Sequence, residues 1–271
     1  MNYNDLPGLR WSTLKPGLDS PLAMQYALSN PRPDSAAKSL GRAVHMLTLE
    51  GRDPPELPAV CLTPSGALST SAAAKAALAQ LAADGIEAYA PSDIAAAREI
   101  AAGIALHPIA AETLALCRHR ERAFTATIDG EAVKCQADLW SDAGILGDLK
   151  TTSRRLSSLR DIQAEVLKWC YHGQLAWYRR VIEAAGGEVL EIRLIFGQTC
   201  YPFDVAVVTL DDAWLAAGDE LVSRALTHLA IARSATASGI KAPGAFPALA
   251  VLDVPRWMGN ASETFDDEVG F

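Results

Sequence analysis

Apolar positions along this chain change period once, near residue 121. Before that point they recur at three- and four-residue intervals; after it they alternate. In the first third, Ser20-Pro21 offers a capping hydroxyl followed by a proline, predicting a helix over Leu22 to Ser29 that Asn30-Pro31-Arg32-Pro33 then breaks. Leu40, Val44 and Leu47 share a helical face, so a second helix is expected from about Ser35 to Glu50. The proline-rich Gly51 to Gly66 reads as surface loop. Ser69 to Ala83 reads as an alanine-rich helix, Ser92-Asp93 as the cap of another through about Ile104, and Ala111 to Arg118 as a short further one.

Beyond residue 121, Arg122 to Ile128, Val133 to Trp140 and Ile145 to Thr151 predict a three-strand meander, with turns at Asp129-Gly130 and Asp142-Ala143-Gly144. One long helix is expected from about Asp161 to Ala185, stopping at Gly186-Gly187. Val189 to Phe196 and Pro202 to Leu210 read as strands, and Asp211-Asp212 caps a last helix through about Ser234. The pattern is α/β or α+β: a central mixed β-sheet containing an antiparallel meander, flanked by α-helices. One domain is expected over residues 1–255, helical over about 1–118 and sheet-based over about 119–235. Residues 256–271 form an acidic, flexible tail.

Composition narrows the class. Half of the 271 residues are apolar and 21% are charged, the balance of a globular protein with a sizeable core rather than of a disordered or fibrous one. The start lacks a basic-then-apolar leader, and no run of about 18 apolar residues occurs, so a soluble cytoplasmic protein with no membrane partner is expected. The five cysteines are widely spaced without a C-x-x-C pair. That argues against disulfides, cysteine-ligated zinc and an iron–sulfur cluster, and all five are expected to be buried and reduced. The net charge of −8 is adverse for a nucleic-acid partner, but Ala115 to Arg180 holds eleven Lys or Arg against eight Asp or Glu. The stretch from Gly259 to Phe271 carries Glu263, Asp266, Asp267 and Glu268 with no base. A basic channel inside an acidic molecule is compatible with both counts.

The chemistry concentrates in CQADLWSDAGILGDLKTT. Asp138 and Asp148 lie five residues either side of Ala143, so a symmetric hairpin opposes them, with Cβ atoms about 5 Å apart. Gln136 then opposes Lys150 on the same polar face, while Cys135, Ala137, Leu139, Ile145, Gly147 and Leu149 make the other face apolar. Two carboxylates so close repel unless a cation neutralises them, and oxygen ligands suit Mg²⁺ or Mn²⁺. Lys150 could hold or deprotonate an attacking water and offset charge on a phosphorane-like transition state. A surface hairpin with an ordinary salt bridge explains Asp148 and Lys150 equally well at this stage.

Further motifs, in order, resemble the PD-(D/E)XK nuclease superfamily, in particular its RecE-like and RecB-like exonuclease branch, which is often encoded by phages or prophages. They are S-x-L-K and S-P (Ser12, Leu14, Lys15, Ser20, Pro21), G-x-x-x-H (Gly41, His45), Glu121 opening the first strand, A-D and G-D-L-K-T-T (Asp138, Asp148 to Thr152), and Y-H-x-Q-x-x-x-Y (Tyr171, Gln174, Tyr178). The resemblance implies a restriction-endonuclease-like core with His45, Asp138, Asp148 and the Leu149 backbone carbonyl as metal ligands. It further implies Mg²⁺, which Mn²⁺ can replace, and Lys150 as the catalytic lysine supported by Gln174 and Tyr178. Glu121 matches a position near the metal, though a charged residue before a strand is commonly just solvated. Tyr171 shares the face of Gln174 and Tyr178, with core packing as its alternative role. Arg154, Arg155 and Arg160 suit phosphate contacts or a solvated loop, and the Thr151 and Thr152 hydroxyls suit a phosphate or simply a strand end.

The implied activity is exonucleolytic hydrolysis of linear double-stranded DNA, 5′-to-3′, in recombination or end resection. A ring-shaped homotrimer or homotetramer and a single-strand annealing protein as partner are implied with it. Two rivals stand. One is a non-catalytic DNA-binding or assembly protein keeping the fold, which would commonly lose the lysine or an aspartate. The other is a Cas4-like or repair-associated nuclease, disfavoured by the missing cysteine cluster and helicase motifs. The acidic end at Phe271 loosely resembles partner-recruiting tips of single-strand-binding proteins, and Pro255-Arg256-Trp257 a segment near the end of RecE-like proteins.

Overall fold

Two turns with left-handed residues build the start of the sheet. Asp129 and Gly130, at φ of 50° and 78°, join β1 (His119–Ile128) to β2 (Glu131–Trp140), the geometry that a two-residue hairpin loop needs and that Asp-Gly tolerates. Gly144, at φ 83°, closes the turn into β3 (Ile145–Thr152). A Cβ there would lie 2.9 Å from the Glu188 carbonyl oxygen, so the position is also closed on steric grounds. The computed structural model containing these elements describes residues 3–30, 39–246 and 248.

The sheet has five strands in the order β1-β2-β3-β4-β5. β1, β2 and β3 run antiparallel, as the meander predicted. β4 (Glu191–Gln198) joins β3 in parallel after a helical crossover, and β5 (Val205–Thr209) returns antiparallel to β4. The sheet is therefore mixed, with helices on both faces. Against one face lie α1 (Trp11–Leu14), α2 (Pro21–Ser29), α7 (Leu159–Trp169), α8 (Tyr171–Ala184) and α9 (Asp212–Ala237), around Trp177, Phe196, Leu146 and Leu194. Against the other lie α3 (Ser39–Thr48), α5 (Pro91–Leu106) and α6 (Pro108–Leu116), around Val44, Ile100, Leu149 and Ile195. α4 (Ala72–Ala83) packs on the short turn at Ala59–Cys61.

Several expectations are corrected. The long helix after β3 is broken at Cys170, whose φ of 56° ends α7 and redirects the chain into α8. α5 starts at Pro91 with Ala90 as its cap, not at Ser92-Asp93, and α6 starts at Pro108 with the His107 imidazole accepting from Ala110 N–H. Glu121 is the third residue of β1 rather than its opener. All five cysteines are free, but only Cys61, Cys117 and Cys135 are buried; Cys170 is partly exposed and Cys200 exposed. The expected start of α3 at Ser35, the tail from residue 256 and the Pro255-Arg256-Trp257 segment lie outside the described residues. No single helix among the described residues is long and apolar enough to cross a membrane.

Glycine sets the closest helix crossing. A Cβ on Gly218 of α9 would stand 2.3 Å from the His172 carbonyl oxygen of α8, and neither backbone can yield locally. Gly218→Ala is therefore expected to lower unfolding stability by about 3 kcal/mol, the upper part of the overpacking range. Urea denaturation followed by circular dichroism measures it. A loss under about 0.5 kcal/mol would show that the two helices separate freely.

Candidate active site

The β2–β3 ladder pairs Leu139 with Gly147 and Trp140 with Leu146, a register in which Asp138 and Asp148 are the next opposed residues. The ladder stops there. Instead of continuing it, the Leu149 N–H donates to Asp138 Oδ2 at 2.8 Å, so the strands part at the two aspartates and a carboxylate holds the opening. A second irregularity faces it across β1. Glu121 has φ of 49°, uncommon for a residue with a Cβ, and the β1–β2 pairing skips the Glu121 and Asp138 position. Both strands reverse their alternation here. Arg122 stacks over Phe124 on the α8 side, while Arg120 lines a cleft on the α3 side; across from them, Ala137 packs with the α8 cluster and Leu139 with the α3 cluster. The expected polar and apolar faces of the hairpin are thus corrected: both sheet faces are apolar, and the reversal leaves Glu121 and Asp138 beside the helix that carries His45.

α3 comes close because Gly41 has no side chain. A Cβ there would sit 3.2 Å from Thr151 Oγ1. One turn later His45 reaches the sheet, with Nε2 3.0 Å from the Leu149 carbonyl oxygen and 3.7 Å from Asp138 Oδ2, and Nδ1 3.4 Å from Glu121 Oε1. Burial works against a charged imidazole, but Asp138 and Glu121 outweigh it and hold the His45 pKa up at about 9. Both ring nitrogens then donate.

On the α8 side, the Lys150 ammonium lies 2.5 Å from Asp148 Oδ2 and 5.0 Å from the centre of the Tyr171 ring. Burial opposes its charge, yet Asp148 and Asp138 together hold the Lys150 pKa above its usual value. Burial pushes the Asp148 pKa up, with Lys150 pulling the other way. Gln174 Nε2 donates to Asp148 Oδ1 at 3.3 Å and to the Tyr178 hydroxyl at 3.0 Å, so the three residues of that helix face meet one carboxylate and one ammonium. Asp148 Oδ2 has no hydrogen bond of normal geometry.

Other sequence candidates divide. The Thr152 hydroxyl donates to Glu165 Oε2 at 3.0 Å, and Arg154 Nε to Glu165 Oε1 at 2.9 Å, so neither is free for a phosphate as the structure stands. Arg155 and Arg160 are exposed. Thr151 faces Gly41. Sequence reading passed over Glu165, which is 4% exposed and on the buried face of α7 between Ile162 and Val166. An acid on an apolar stripe was the available signal.

His45, Glu121 and Asp138 offer ligand atoms within 4.8 Å of one another, the one such cluster found among the described residues. The Leu149 carbonyl adjoins it, and a cleft of about 850 Å³ opens over it, lined also by Arg42, Arg52, Arg120 and Tyr89. One imidazole, two carboxylates and a carbonyl, with the Asp148 carboxylate on the adjoining strand paired to Lys150, fit a hard divalent cation. Asp148 is outside the tight cluster, and Glu121, ranked in the sequence below the four expected ligands, is inside it.

A family model described as a PDDEXK-like domain of unknown function (DUF3799) matches residues 11–241. No curated protein sequence matches the chain. A candidate exonuclease from Eubacterium rectale shares 16% identity over 79% of this chain and 74% of its own, with a TM-score of 0.54. A phage related exonuclease from Haemophilus somnus 129PT shares 14% identity over 88% of this chain and 100% of its own, with a TM-score of 0.37.

Proposed function

Because this chain belongs to the PDDEXK-like domain family, within the PD-(D/E)XK nuclease superfamily, we propose that it is a Mg²⁺-dependent exodeoxyribonuclease acting on linear double-stranded DNA. The observation that carries the reading is the meeting of His45, Glu121, Asp138 and the Leu149 carbonyl where β2 and β3 part, beside the Asp148 and Lys150 pair. A hard divalent ion bound there supplies Lewis acidity to the phosphate and its attacking water, and Mn²⁺ would serve as well. Asp138, Glu121, His45 and Asp148 are the residues that would hold it. In the metal-free protein two carboxylates keep Lys150 protonated, and its proposed role is a cation facing the negative charge that builds on the phosphate. Gln174 fixes the Asp148 carboxylate, and Tyr178 fixes Gln174. Glu121 is raised in rank relative to the sequence reading, and Arg155, Arg160 and Thr151 keep their proposed role as strand contacts.

Digestion 5′-to-3′, a ring-shaped trimer or tetramer, a single-strand annealing partner and a cytoplasmic place in recombination complete the proposal, and they rest on the motif resemblance alone. End-labelled linear and closed circular duplexes, with Mg²⁺, Mn²⁺ or chelator, test it. Nucleotide release is expected from linear DNA only, and only with metal. Binding of duplex ends with no release under any metal would establish the non-catalytic reading instead.

Proton linkage gives a separate check. The His45 pKa is about 9 here against about 6.5 unfolded, so its charged form stabilises the metal-free protein below pH 6.5, and that contribution is lost as pH rises through 9. A metal needs the neutral ring. Metal affinity is therefore expected to rise from pH 6.5 to 9 and then level. Calorimetry in two buffers of different ionisation enthalpy should show about one proton released per ion near pH 7.5. Affinity flat across that window would remove His45 from the ligand set.

A further inference from the structure

Trp169 closes α7, two residues before Tyr171, and the residue is 43% exposed although indole is among the costlier groups to leave in water. It is held rather than loose. Its Nε1 donates to Glu165 Oε2 at 3.0 Å, and its carbonyl accepts from Lys15 Nζ at 2.8 Å. Glu165 is buried and also accepts from Thr152 and Arg154, so the indole is tied to the end of the strand that carries Lys150. Burial raises the cost of the Glu165 charge, but those donors win and keep its pKa below the usual value.

Two cations attend the ring. Lys15 Nζ lies 5.6 Å and Lys168 Nζ 4.9 Å from its centre. Lys168 is exposed and forms no ion pair among the described residues, so it can leave the ring for a phosphate while a base takes its place on the indole. The exposed Arg155 lies on the loop that Glu165 anchors through Arg154. A held, half-exposed aromatic flanked by cations is the chemistry that binds single-stranded nucleic acid, each stacked base and phosphate being recognised without regard to sequence. Tyr171, the first residue of α8 beyond the break at Cys170, carries the Lys150 ammonium on its ring. Two residues of chain span at most about 7 Å, so the platform adjoins the Tyr171 ring that Lys150 lies over.

We propose that Trp169, fixed by Glu165 and flanked by Lys15 and Lys168, is a base-stacking platform for unpaired DNA nucleotides adjoining the Lys150 site. The inference deepens the nuclease reading and rests on it for the identity of the strand. The test is binding of a fluorescein-labelled oligothymidylate and of a blunt duplex to the full chain in Ca²⁺, with the DNA sized afterwards to show that it is intact.

Trp169→Ala is expected to weaken oligothymidylate binding about 5- to 100-fold, and Trp169→Phe no more than about 3-fold. Blunt-duplex affinity should stay within about twofold. Indole fluorescence quenched by oligothymidylate in the wild type should lose its main component in Trp169→Phe. Unchanged oligothymidylate affinity in Trp169→Ala with an unchanged melting curve overturns the proposal. So does an equal loss for blunt duplex, or a wild type that does not bind the oligonucleotide. Hydrolysis in Mg²⁺ is scored apart from binding. A wild type that cleaves nothing but binds through Trp169 sinks the nuclease reading alone; one that cleaves but binds identically without Trp169 sinks the platform alone.

Discussion

Lys150→Ala is expected to lower the rate of DNA hydrolysis by about 10²- to 10³-fold, the usual cost of removing one preorganised charge from a reacting phosphate or oxyanion. Substrate binding should change far less, because the ammonium meets charge that develops only as the phosphate is attacked. Lys150→Arg should not restore the rate. The lysine side chain is 16% exposed, seated between Asp148 and the Tyr171 ring, and a planar guanidinium cannot place a point charge in the same space. The fold responds through Asp148. Deprived of its ammonium, that buried carboxylate, already pushed up in pKa by burial, takes up a proton more readily. Its folded pKa lies above the unfolded value, so the stabilising protonated form is present in acid and lost as pH rises. Metal-free Lys150→Ala should therefore be more stable near pH 5 than near pH 8. Single-turnover kinetics and thermal melts at the two pH values read both effects, and a variant that cleaved at the wild-type rate would take Lys150 out of the chemistry.

The strands, their order within the meander and the opposed aspartates were legible because each rests on local rules: period-two alternation, Asp-Gly and Gly144 turns, and symmetry about Ala143. What local rules could not reveal was the reversal at Glu121 and Asp138. Alternation read from sequence assumes an undisturbed pleat, whereas here a left-handed Glu121 lets both strands turn over together and keep their register. Such strain is commonly held at functional sites by the surrounding structure. The same limit hid the helix break, since Cys170 resembles any apolar helical residue until its φ is known.

Charge was legible as a count but not as pairing. Much of the basic surplus between residues 115 and 180 is taken up by neighbours: Arg122 by Asp142, Arg154 by Glu165 and Asp161, and Arg179 and Arg180 by Asp219. The cleft arginines Arg42 and Arg52 likewise pair with Glu87 and Glu50. A phosphate approaching this site must therefore displace carboxylates or use cations without a carboxylate partner among the described residues, such as the cleft's Arg120 and the exposed Arg155, Arg160 and Lys168, and the proposed divalent ion would add to that attraction. His45, the proposed long-range ligand, was singled out by its motif alone. Gly41 explains why the motif has that spacing, because one helical turn separates the close approach from the imidazole.

Asp138 separates architecture from chemistry more sharply than any other position. Its Oδ2 accepts the Leu149 N–H, lies 3.7 Å from His45 and belongs to the candidate ligand cluster, so one carboxylate holds the strands open and, in the proposed site, would also gather the cation. Asp138→Ala should remove both functions. Hydrolysis should fall by about 10³-fold or more, and the orphaned Leu149 N–H should cost about 1–3 kcal/mol of stability. Asp138→Asn keeps an oxygen facing that N–H. It should retain nearly wild-type stability but lose the charge that draws the metal, with hydrolysis reduced almost as far as in the alanine variant and metal affinity weakened. It also relieves His45 of the first carboxylate holding its proton, so the His45 pKa should fall and its NMR titration should move toward the ordinary imidazole range. Denaturant melts, calorimetric metal titration and the imidazole titration together decide the matter. An asparagine variant that bound metal and cut DNA like the wild type would show that the opening between β2 and β3 is structural and that the cation sits elsewhere.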